Sequence, residues 1–210
     1  MKNNAAQIVK ILKKTYPHAN TALIFKNPMQ LLVATILSAQ CTDARVNLTT
    51  PALFAKYKKV EDFAKAKPAD LMPLIRSTGF YRHKAEFIQK SCKKIVEQFG
   101  GVVPKTMEEI LMLPGVARKT ANVVLGTAYG VTEGIAVDTH VIRLSGRLGL
   151  SKEKDPVKIE KDLMRQVDRK DWTWFSHAMI QHGRTICKAI SPKCGECPLN
   201  KICPSAFKFG

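Results

Sequence analysis

Four cysteines near the end of the chain have a spacing that is typical of a metal site. They follow the pattern Cys-x6-Cys-x2-Cys-x5-Cys and are Cys187, Cys194, Cys197 and Cys203. Thiolates bind soft metals, and four thiols this close together in a cytosolic chain indicate a metal centre. Zinc ligands usually come as two Cys-x2-Cys pairs, whereas uneven spacing fits a four-iron cube that presents one iron to each thiolate. Spacing alone leaves zinc and an iron–sulfur cluster as equal alternatives.

The segment LPGVARKTA, residues 113–121, has the features of a phosphate-binding turn. Thr106 and Glu109 form a capping box for a first helix, and a tight Pro-Gly turn leads into a second helix. The free backbone N–H groups and the positive dipole at the start of that second helix suit a phosphate oxygen. Taken alone, the segment also fits an ordinary helical turn with Arg118 and Lys119 on a solvated face.

In the segment IAVDTHV, residues 135–141, three apolar residues are followed by a single carboxylate, Asp138. Asp138 fits the N-cap of a following helix, and this role is compatible with catalysis because capping bonds hold the carboxylate in place. His140 is more often a histidine on a helix surface than a catalytic base, so we assign it no role. The polar joint LSAQCTD, residues 37–43, taken alone is a capped connection between two helices.

The net charge of the chain predicts a polyanionic partner. The 210 residues include 34 Lys and Arg against 17 Asp and Glu, which gives a net charge of +17 at pH 7. Nucleic acid is the default partner, an anionic membrane is second, and a merely basic surface is the remaining alternative. No apolar stretch approaches the ~20 residues that span a bilayer, and the first residues lack a secretory signal. We therefore expect a cytosolic protein without membrane association or structural disulfides.

The elements that must position these residues are predicted to be helices throughout. Asn27-Pro28 combines a cap with a first-turn proline and begins one helix. Residues 81–99 place apolar side chains on one face at helical spacing, and Gly100 ends that helix. Pro51 lies inside the otherwise helical stretch 42–57 and should kink or split it. These signals amount to about ten helices and an all-α fold.

Together the four motifs, in this order and spacing, resemble the endonuclease III family, bacterial base-excision-repair glycosylases of the helix-hairpin-helix superfamily. The resemblance extends from about residue 27 to residue 203. It implies an all-α protein with two lobes. The implied boundaries are a six-helix barrel over 22–132 with the helix-hairpin-helix at about 106–127, and a helical iron–sulfur domain over 1–21 and 133–210 with the cluster loop at 187–203.

The resemblance also implies roles for the residues that match the motifs of the family. Lys119 matches the nucleophile and Asp138 the essential carboxylate, while the four cysteines match the ligands of a [4Fe-4S] cluster. Gln40 and Phe80 match the side chains that fill the gap left by an extruded nucleotide. The other matches are DNA contacts of the hairpin and the cluster loop, namely Gly115, Ala117, Arg118, Thr120, Lys188 and Lys193.

The implied activity is that of a bifunctional DNA glycosylase and abasic-site lyase. The enzyme would flip a damaged, oxidised pyrimidine out of double-stranded DNA, and Lys119 would attack C1′ of the sugar. Because a free lysine with a pKa of about 10.4 is mostly protonated at neutral pH, we expect burial, the helix terminus and Arg118 to favour the neutral amine. The resulting Schiff base would cut the strand 3′ to the abasic site by β-elimination. We expect a monomer that acts at the nucleoid in the bacterial cytosol.

Three residues depart from the pattern of the family, which usually has glycine at position 117, leucine at position 80 and a continuous helix where Pro51 lies. A left-handed φ would strain Ala117, so we predict a right-handed φ there, with the N–H still facing phosphate. Phe80 would be a larger wedge than leucine.

Two other functions fit part of the pattern. A monofunctional adenine glycosylase of the same superfamily shares the cluster and the aspartate but lacks the lysine. It also carries a C-terminal recognition domain, whereas this chain ends seven residues after Cys203. A non-catalytic DNA-binding module with structural zinc would share the basic charge and the cysteines. Iron and sulfide in a brown preparation, rather than zinc in a colourless one, would exclude that module.

Overall fold

The computed structural model describes residues 4–209, and the regular structure in this range is helical without a β-strand. Residues 1–3 and 210, which the expected domain boundaries include, lie outside the described range. The all-α fold is therefore confirmed. The α-helices are α1 (Ala5–Thr15), α2 (Pro28–Leu37), α3 (Asp43–Lys56), α4 (Val60–Lys65), α5 (Pro68–Ile75), α6 (Tyr81–Phe99), α7 (Met107–Leu111), α8 (Arg118–Tyr129), α9 (Thr139–Arg147), α10 (Pro156–Met164) and α11 (Trp172–Thr185).

The chain divides into two compact units. One consists of residues 22–131 and contains α2 to α8. The other combines the residues up to 21 with those from 132 onward and contains α1 and α9 to α11. Each unit has its own buried apolar cluster, as expected for a part of a protein with its own hydrophobic core.

The core of the unit 22–131 is built around α2. The side-chain oxygen of Asn27 accepts a hydrogen bond from the Gln30 amide at 2.9 Å, and Pro28 occupies the first turn, as the sequence predicts. Every residue from Leu31 to Leu37 is buried, and α3, α6 and α8 pack against this helix. A helix that is apolar on all sides has to be central.

The sequence predicts the course of α6 correctly but not that of α3. Residues 81–99 form α6, which ends where Gly100 adopts a φ of 59°. By contrast, α3 continues from Asp43 to Lys56 through Pro51, so the predicted split is wrong. Pro51 is exposed, and the carbonyl of Asn47, which has lost its N–H donor, can bond to water on that side of the helix.

The second unit packs α1 against α11. Ile8 and Leu12 of α1 are buried, while its lysines are exposed. Trp174 Nε1 donates a hydrogen bond to the Tyr16 carbonyl at 2.9 Å, and Lys13 pairs with a carboxylate of the segment before α11. Within residues 4–209, none of the helices has both the length and the apolar composition that crossing a membrane requires.

Candidate functional site

The hairpin predicted near residues 106–127 is formed by α7, a tight turn and α8. Thr106 caps α7: its Oγ1 accepts from the Glu109 amide at 3.3 Å and donates to the Glu109 carboxylate at 2.8 Å. Gly115 forms the turn with a φ of +77°. A Cβ at this position would lie 2.6 Å from Cγ of Phe87. Both the backbone angle and the close approach therefore require glycine.

The first turn of α8 carries the matched nucleophile and its neighbours. Ala117 is the exposed N-cap, with a φ of −91° and a ψ of 168°. The φ is negative, as predicted, but the conformation is extended because an N-cap residue precedes the first helical residue. Arg118 and Thr120 are half-buried, while Lys119 is exposed.

The exposure of Lys119 contradicts the expectation that burial favours its neutral amine. Lys119 is the second residue of α8, and its side chain lies on the outer face of the first turn, whereas Ala121 and the residues that follow it turn into the core. Desolvation of Lys119 would have to come from a bound molecule.

One recess in the unit 22–131 brings together two motifs that are distant in the chain. Its volume is about 350 Å³, and its lining includes Gln40, Phe80, Gly115 and Thr120. Gln40 is exposed and Phe80 is 62% exposed. The polar joint and the hairpin thus share one surface.

Gln40 and Phe80 both have left-handed backbone conformations, with φ of 51° and 47°. Gln40 lies in the turn between α2 and α3, and Phe80 directly precedes α6. Left-handed conformations are unfavourable for residues other than glycine, and they are concentrated at functional sites where the surrounding structure enforces them.

In the other unit, Asp138 is the N-cap of α9, as the sequence predicts. Its Oδ1 accepts hydrogen bonds from the amides of His140 and Val141, at 2.8 and 2.9 Å. The Ala136 amide donates to the Ser176 hydroxyl at 2.9 Å and anchors the chain that approaches the cap. Because both capping bonds use Oδ1, neither engages Oδ2, and the half-buried carboxylate keeps an acceptor for chemistry.

His140 packs behind this cap. Its Nδ1 lies 3.1 Å from Nη2 of Arg143, and a Cβ added at Gly183 would lie 3.0 Å from the His140 Cβ. Burial lowers the pKa of His140, and the opposing effect of Asp138 is smaller. An imidazole held this closely fits a packing role.

The four cysteines line a single recess in this same unit. Burial raises the pKa of the Cys197 and Cys203 thiols, so their thiolates need a compensating cation. Four thiols that line one recess and are unevenly spaced in the chain fit a polynuclear cluster that offers one iron to each thiolate.

Two arginines outside the four motifs hold the start of the cluster loop. Arg143 Nη2 donates to the Cys187 carbonyl at 2.9 Å, and Arg147 donates to the carbonyls of Lys188 and Ala189 at 2.6 and 2.9 Å. Arg147 Nη1 also lies 3.4 Å from the Cys187 sulfur. The two arginines are four residues apart on α9 and therefore share a face, which is a signal that the sequence contains.

His182 lines the same recess and forms a hydrogen bond with Tyr16, but no pattern in the sequence indicates this contact. His182 Nε2 lies 3.5 Å from the Cys197 sulfur, and its Nδ1 lies 2.9 Å from the hydroxyl of Tyr16. Burial lowers the pKa of His182 to about 4. A neutral imidazole at pH 7 carries one N–H, so it can donate either to the Tyr16 hydroxyl or to the Cys197 sulfur.

The basic side chains assigned to the cluster loop are on its surface. Lys188 and Lys193 are exposed, and Lys193 pairs with Glu196 at 3.2 Å. Lys119 and the recess that Gln40 and Phe80 line belong to the unit 22–131. Asp138 and the four cysteines belong to the other unit.

Comparison with known proteins gives two family matches. Residues 33–169 match the HhH-GPD superfamily of base-excision DNA repair proteins, and residues 187–203 match the iron–sulfur binding domain of endonuclease III. The chain is 57% identical to endonuclease III of Synechocystis sp. over 205 residues, which cover 98% of this chain and 94% of the relative. It is 52% identical to endonuclease III of Bacillus subtilis, over 92% of this chain and 88% of the relative.

A solved structure of a trapped endonuclease III–DNA covalent intermediate is similar to the whole chain. The TM-score is 0.91 and the sequence identity is 44%, with 97% of each chain covered.

Proposed function

This chain belongs to the endonuclease III family of the HhH-GPD superfamily, and from that premise we propose how its own residues excise a damaged base. The protein is a DNA glycosylase and abasic-site lyase of base excision repair. The observation that carries this conclusion is its likeness, over 97% of both chains, to a relative trapped in a covalent complex with DNA. A covalent intermediate requires a nucleophile, and Lys119 is the residue that we assign to that role.

The hairpin binds the sugar-phosphate backbone next to the lesion. The tight turn at Gly115 exposes the backbone N–H groups at the start of α8, including that of Ala117. These groups donate hydrogen bonds to a phosphate oxygen, and the positive end of the helix dipole attracts its charge, without any reading of the base sequence.

Extrusion of the damaged nucleotide leaves a gap in the duplex, and Gln40 and Phe80 fill it. Unstacking a base costs a few kcal/mol, and less for a damaged base that stacks poorly. The exposed ring of Phe80 offsets part of this cost by stacking as a wedge, and Gln40 offers hydrogen bonds to the base that has lost its partner. Both side chains rise from strained turns beside one recess, which supports a joint role.

The chemical step begins when the Lys119 amine, in its neutral form, attacks C1′ of the extruded sugar. A nitrogen–carbon bond forms while the glycosidic bond breaks, and its electron pair leaves with the base, which takes up a proton. Because Lys119 is exposed in the protein, bound DNA has to exclude water from the amine during the attack.

Asp138 stabilises the positive charge that develops on the sugar and assists the proton transfers. The two backbone bonds to Oδ1 hold the carboxylate before substrate arrives, and a carboxylate that is already oriented loses little free energy to reorganisation. When the amine loses its proton and the sugar ring opens, a Schiff base results. The Schiff base acidifies the adjacent C2′–H, so loss of that proton breaks the C3′–O bond and cuts the strand on the 3′ side.

The four cysteines would hold the [4Fe-4S] cluster of this family, and the match of residues 187–203 to the iron–sulfur binding domain supports it over structural zinc. Bound there, the cluster supplies a rigid cross-link within residues 187–203. Arg143 and Arg147 fasten the start of this loop, and its exposed Lys188 and Lys193 contact phosphates.

The substrate class that we propose is double-stranded DNA with an oxidised pyrimidine or an abasic site, which the protein binds as a monomer. The curated relatives are bacterial repair enzymes, and this supports action at the nucleoid in the cytosol.

Borohydride trapping on DNA with an abasic site tests the assignment of Lys119. Reduction converts the Schiff base into a stable covalent adduct, so the parent protein should be trapped and Lys119→Ala should not. Lys90→Ala, on the exposed face of α6 and outside the proposed machinery, is the matched control and should be trapped like the parent. Equal trapping of Lys119→Ala would remove Lys119 from the role of nucleophile. No trapping of the parent would favour the monofunctional, adenine-type alternative.

A further inference from the structure

The first turn of α6 carries a buried lysine for which the proposed mechanism has no role. Lys84 is only 3% exposed, and burial lowers its pKa. A buried lysine amine is costly unless hydrogen bonds satisfy it. Its amine donates two short hydrogen bonds, to the carbonyls of Leu37 at 2.8 Å and Thr78 at 2.7 Å.

Both acceptors end the elements that lead into the proposed wedge residues. Leu37 is the last residue of α2, and Gln40 follows it by three positions. Thr78 is the last residue of the short 3₁₀ turn Arg76–Thr78, and Phe80 follows it by two positions. Carbonyls at the end of a helix lack intrahelical donors, so one amine satisfies an orphan acceptor in each element.

Through these two hydrogen bonds, Lys84 connects the turn of Gln40 to the turn of Phe80, and both turns are strained. Gln40 and Phe80 hold left-handed backbone angles that persist only where the surrounding structure enforces them. The hydroxyls of Ser38 and Thr78 bond to carbonyls within their own elements, at Thr35 and Ile75. These bonds stiffen each turn separately, whereas Lys84 joins one turn to the other.

Lys84 also lines the same recess as Gln40 and Phe80. We propose that Lys84 is a positioning residue for base extrusion, whose amine holds the turns of Gln40 and Phe80 in register so that both side chains enter the duplex together. This inference rests on the proposed function, because it presupposes that Gln40 and Phe80 fill the gap in the duplex.

The test compares Lys84→Met on duplex and single-stranded DNA. Methionine keeps most of the volume but removes both hydrogen bonds. Excision of a damaged base from a duplex needs the wedge, so it should fall by at least about tenfold. Cleavage at an abasic site in single-stranded DNA needs no displacement of a partner strand and should stay within about twofold of the parent rate.

A fluorescence measurement reports the extrusion itself. 2-Aminopurine is placed opposite a tetrahydrofuran analogue of an abasic site, where unstacking increases its emission. The parent should bind this duplex and raise the signal. Lys84→Met should bind it with a much smaller increase, because backbone contacts persist while the wedge is misplaced. If Lys84→Met does not fold at 25 °C, Lys84→Gln, whose polar side chain is one atom shorter and has no ammonium group, carries the same comparison with the same expected results.

The matched control is Gln89→Leu. Gln89 lies on the same helix, and its side chain donates a hydrogen bond to the Ala64 carbonyl of α4 at 3.0 Å. The substitution therefore also removes a bond from a side chain to a carbonyl of another helix, but at a place away from both turns. It should leave the ratio of duplex to single-strand activity unchanged. If Lys84→Met lowers both activities equally, or neither, Lys84 is a core residue only and the inference is overturned.

Failure of the proposed function would look different. A parent that forms no borohydride adduct, or Gln40→Ala with unaltered duplex excision, would contradict the roles assigned above. An active parent that needs Gln40 but tolerates Lys84→Met would contradict the inference about Lys84 alone.

Discussion

The two side chains that we propose carry the chemistry, Lys119 and Asp138, are held in opposite ways. Asp138 is fixed by two backbone hydrogen bonds and needs little reorganisation when positive charge develops nearby. Lys119 is exposed in the first turn of α8, so its long side chain has to be ordered when DNA covers it. We therefore expect the reactivity of the amine to depend on DNA binding.

Substitution of Asp138 can separate its chemistry from its capping role. Asparagine is as good an N-cap as aspartate, so Asp138→Asn should keep the free energy of unfolding within about 0.5 kcal/mol of the parent. Base excision should fall by at least about 100-fold because the negative charge is gone. Single-turnover excision, DNA binding and thermal unfolding measure the three effects.

Asp138→Ala is the companion variant, because it removes the cap as well as the charge and should lose about 0.5–2 kcal/mol of stability. If Asp138→Asn loses DNA binding in parallel with excision, the carboxylate is chiefly a structural cap.

The residues to which we assign functions lie where helices begin and end. Gln40 and Phe80 occupy turns, Lys119 lies in the first turn of α8, and Asp138 caps α9. Helix ends combine unpaired backbone groups with a local dipole, so they bind charged ligands more readily than helix interiors. The hairpin turn is the most demanding of these elements, because Phe87 packs where any side chain at Gly115 would lie.

Gly115→Ala should therefore destabilise the hairpin and weaken DNA binding. The positive φ costs alanine roughly 1–2 kcal/mol, and the overlap with Phe87 adds to this strain. Thermal unfolding and the affinity for a duplex with a tetrahydrofuran site measure both losses.

Ala117→Gly is the control on the same hairpin. Position 117 has a negative φ and no side-chain capping bond, and glycine is a somewhat better N-cap than alanine. Stability and affinity should stay close to those of the parent. Equal losses in the two variants would mean that the angle at Gly115 is not the demanding feature.

At the scale of the whole molecule, the net positive charge contributes to DNA binding. A net charge of +17 attracts DNA at long range and makes binding sensitive to salt, because each neutralised phosphate releases counterions. Lys188 is exposed on the cluster loop and is proposed to contact phosphate, so it should contribute to this dependence.

Lys188→Ala should reduce the slope of log affinity against log salt by about 0.9, the contribution of one phosphate contact. Fluorescence anisotropy over a series of salt concentrations measures the slope. Lys161→Ala, an exposed lysine on α10 outside the proposed contacts, should leave it unchanged. An unchanged slope for Lys188→Ala would remove Lys188 from the set of DNA contacts.

The sequence by itself determined the features that depend on neighbouring residues. The caps at Asn27, Thr106 and Asp138 and the end of α6 at Gly100 form as predicted, because capping and helix termination are local interactions. The cysteine pattern likewise indicated a metal site, although spacing alone left its identity open.

Only the tertiary structure decided the features that depend on burial and on contacts between distant segments. The continuity of α3 through Pro51, the exposure of Lys119 and the left-handed turns at Gln40 and Phe80 do not follow from local propensity. Lys84 is the clearest case. In the sequence it is one lysine among many, and its meaning arises because folding brings the carbonyls of Leu37 and Thr78 to a single buried amine. Such contacts join residues far apart in the chain, and no pattern of neighbours encodes them.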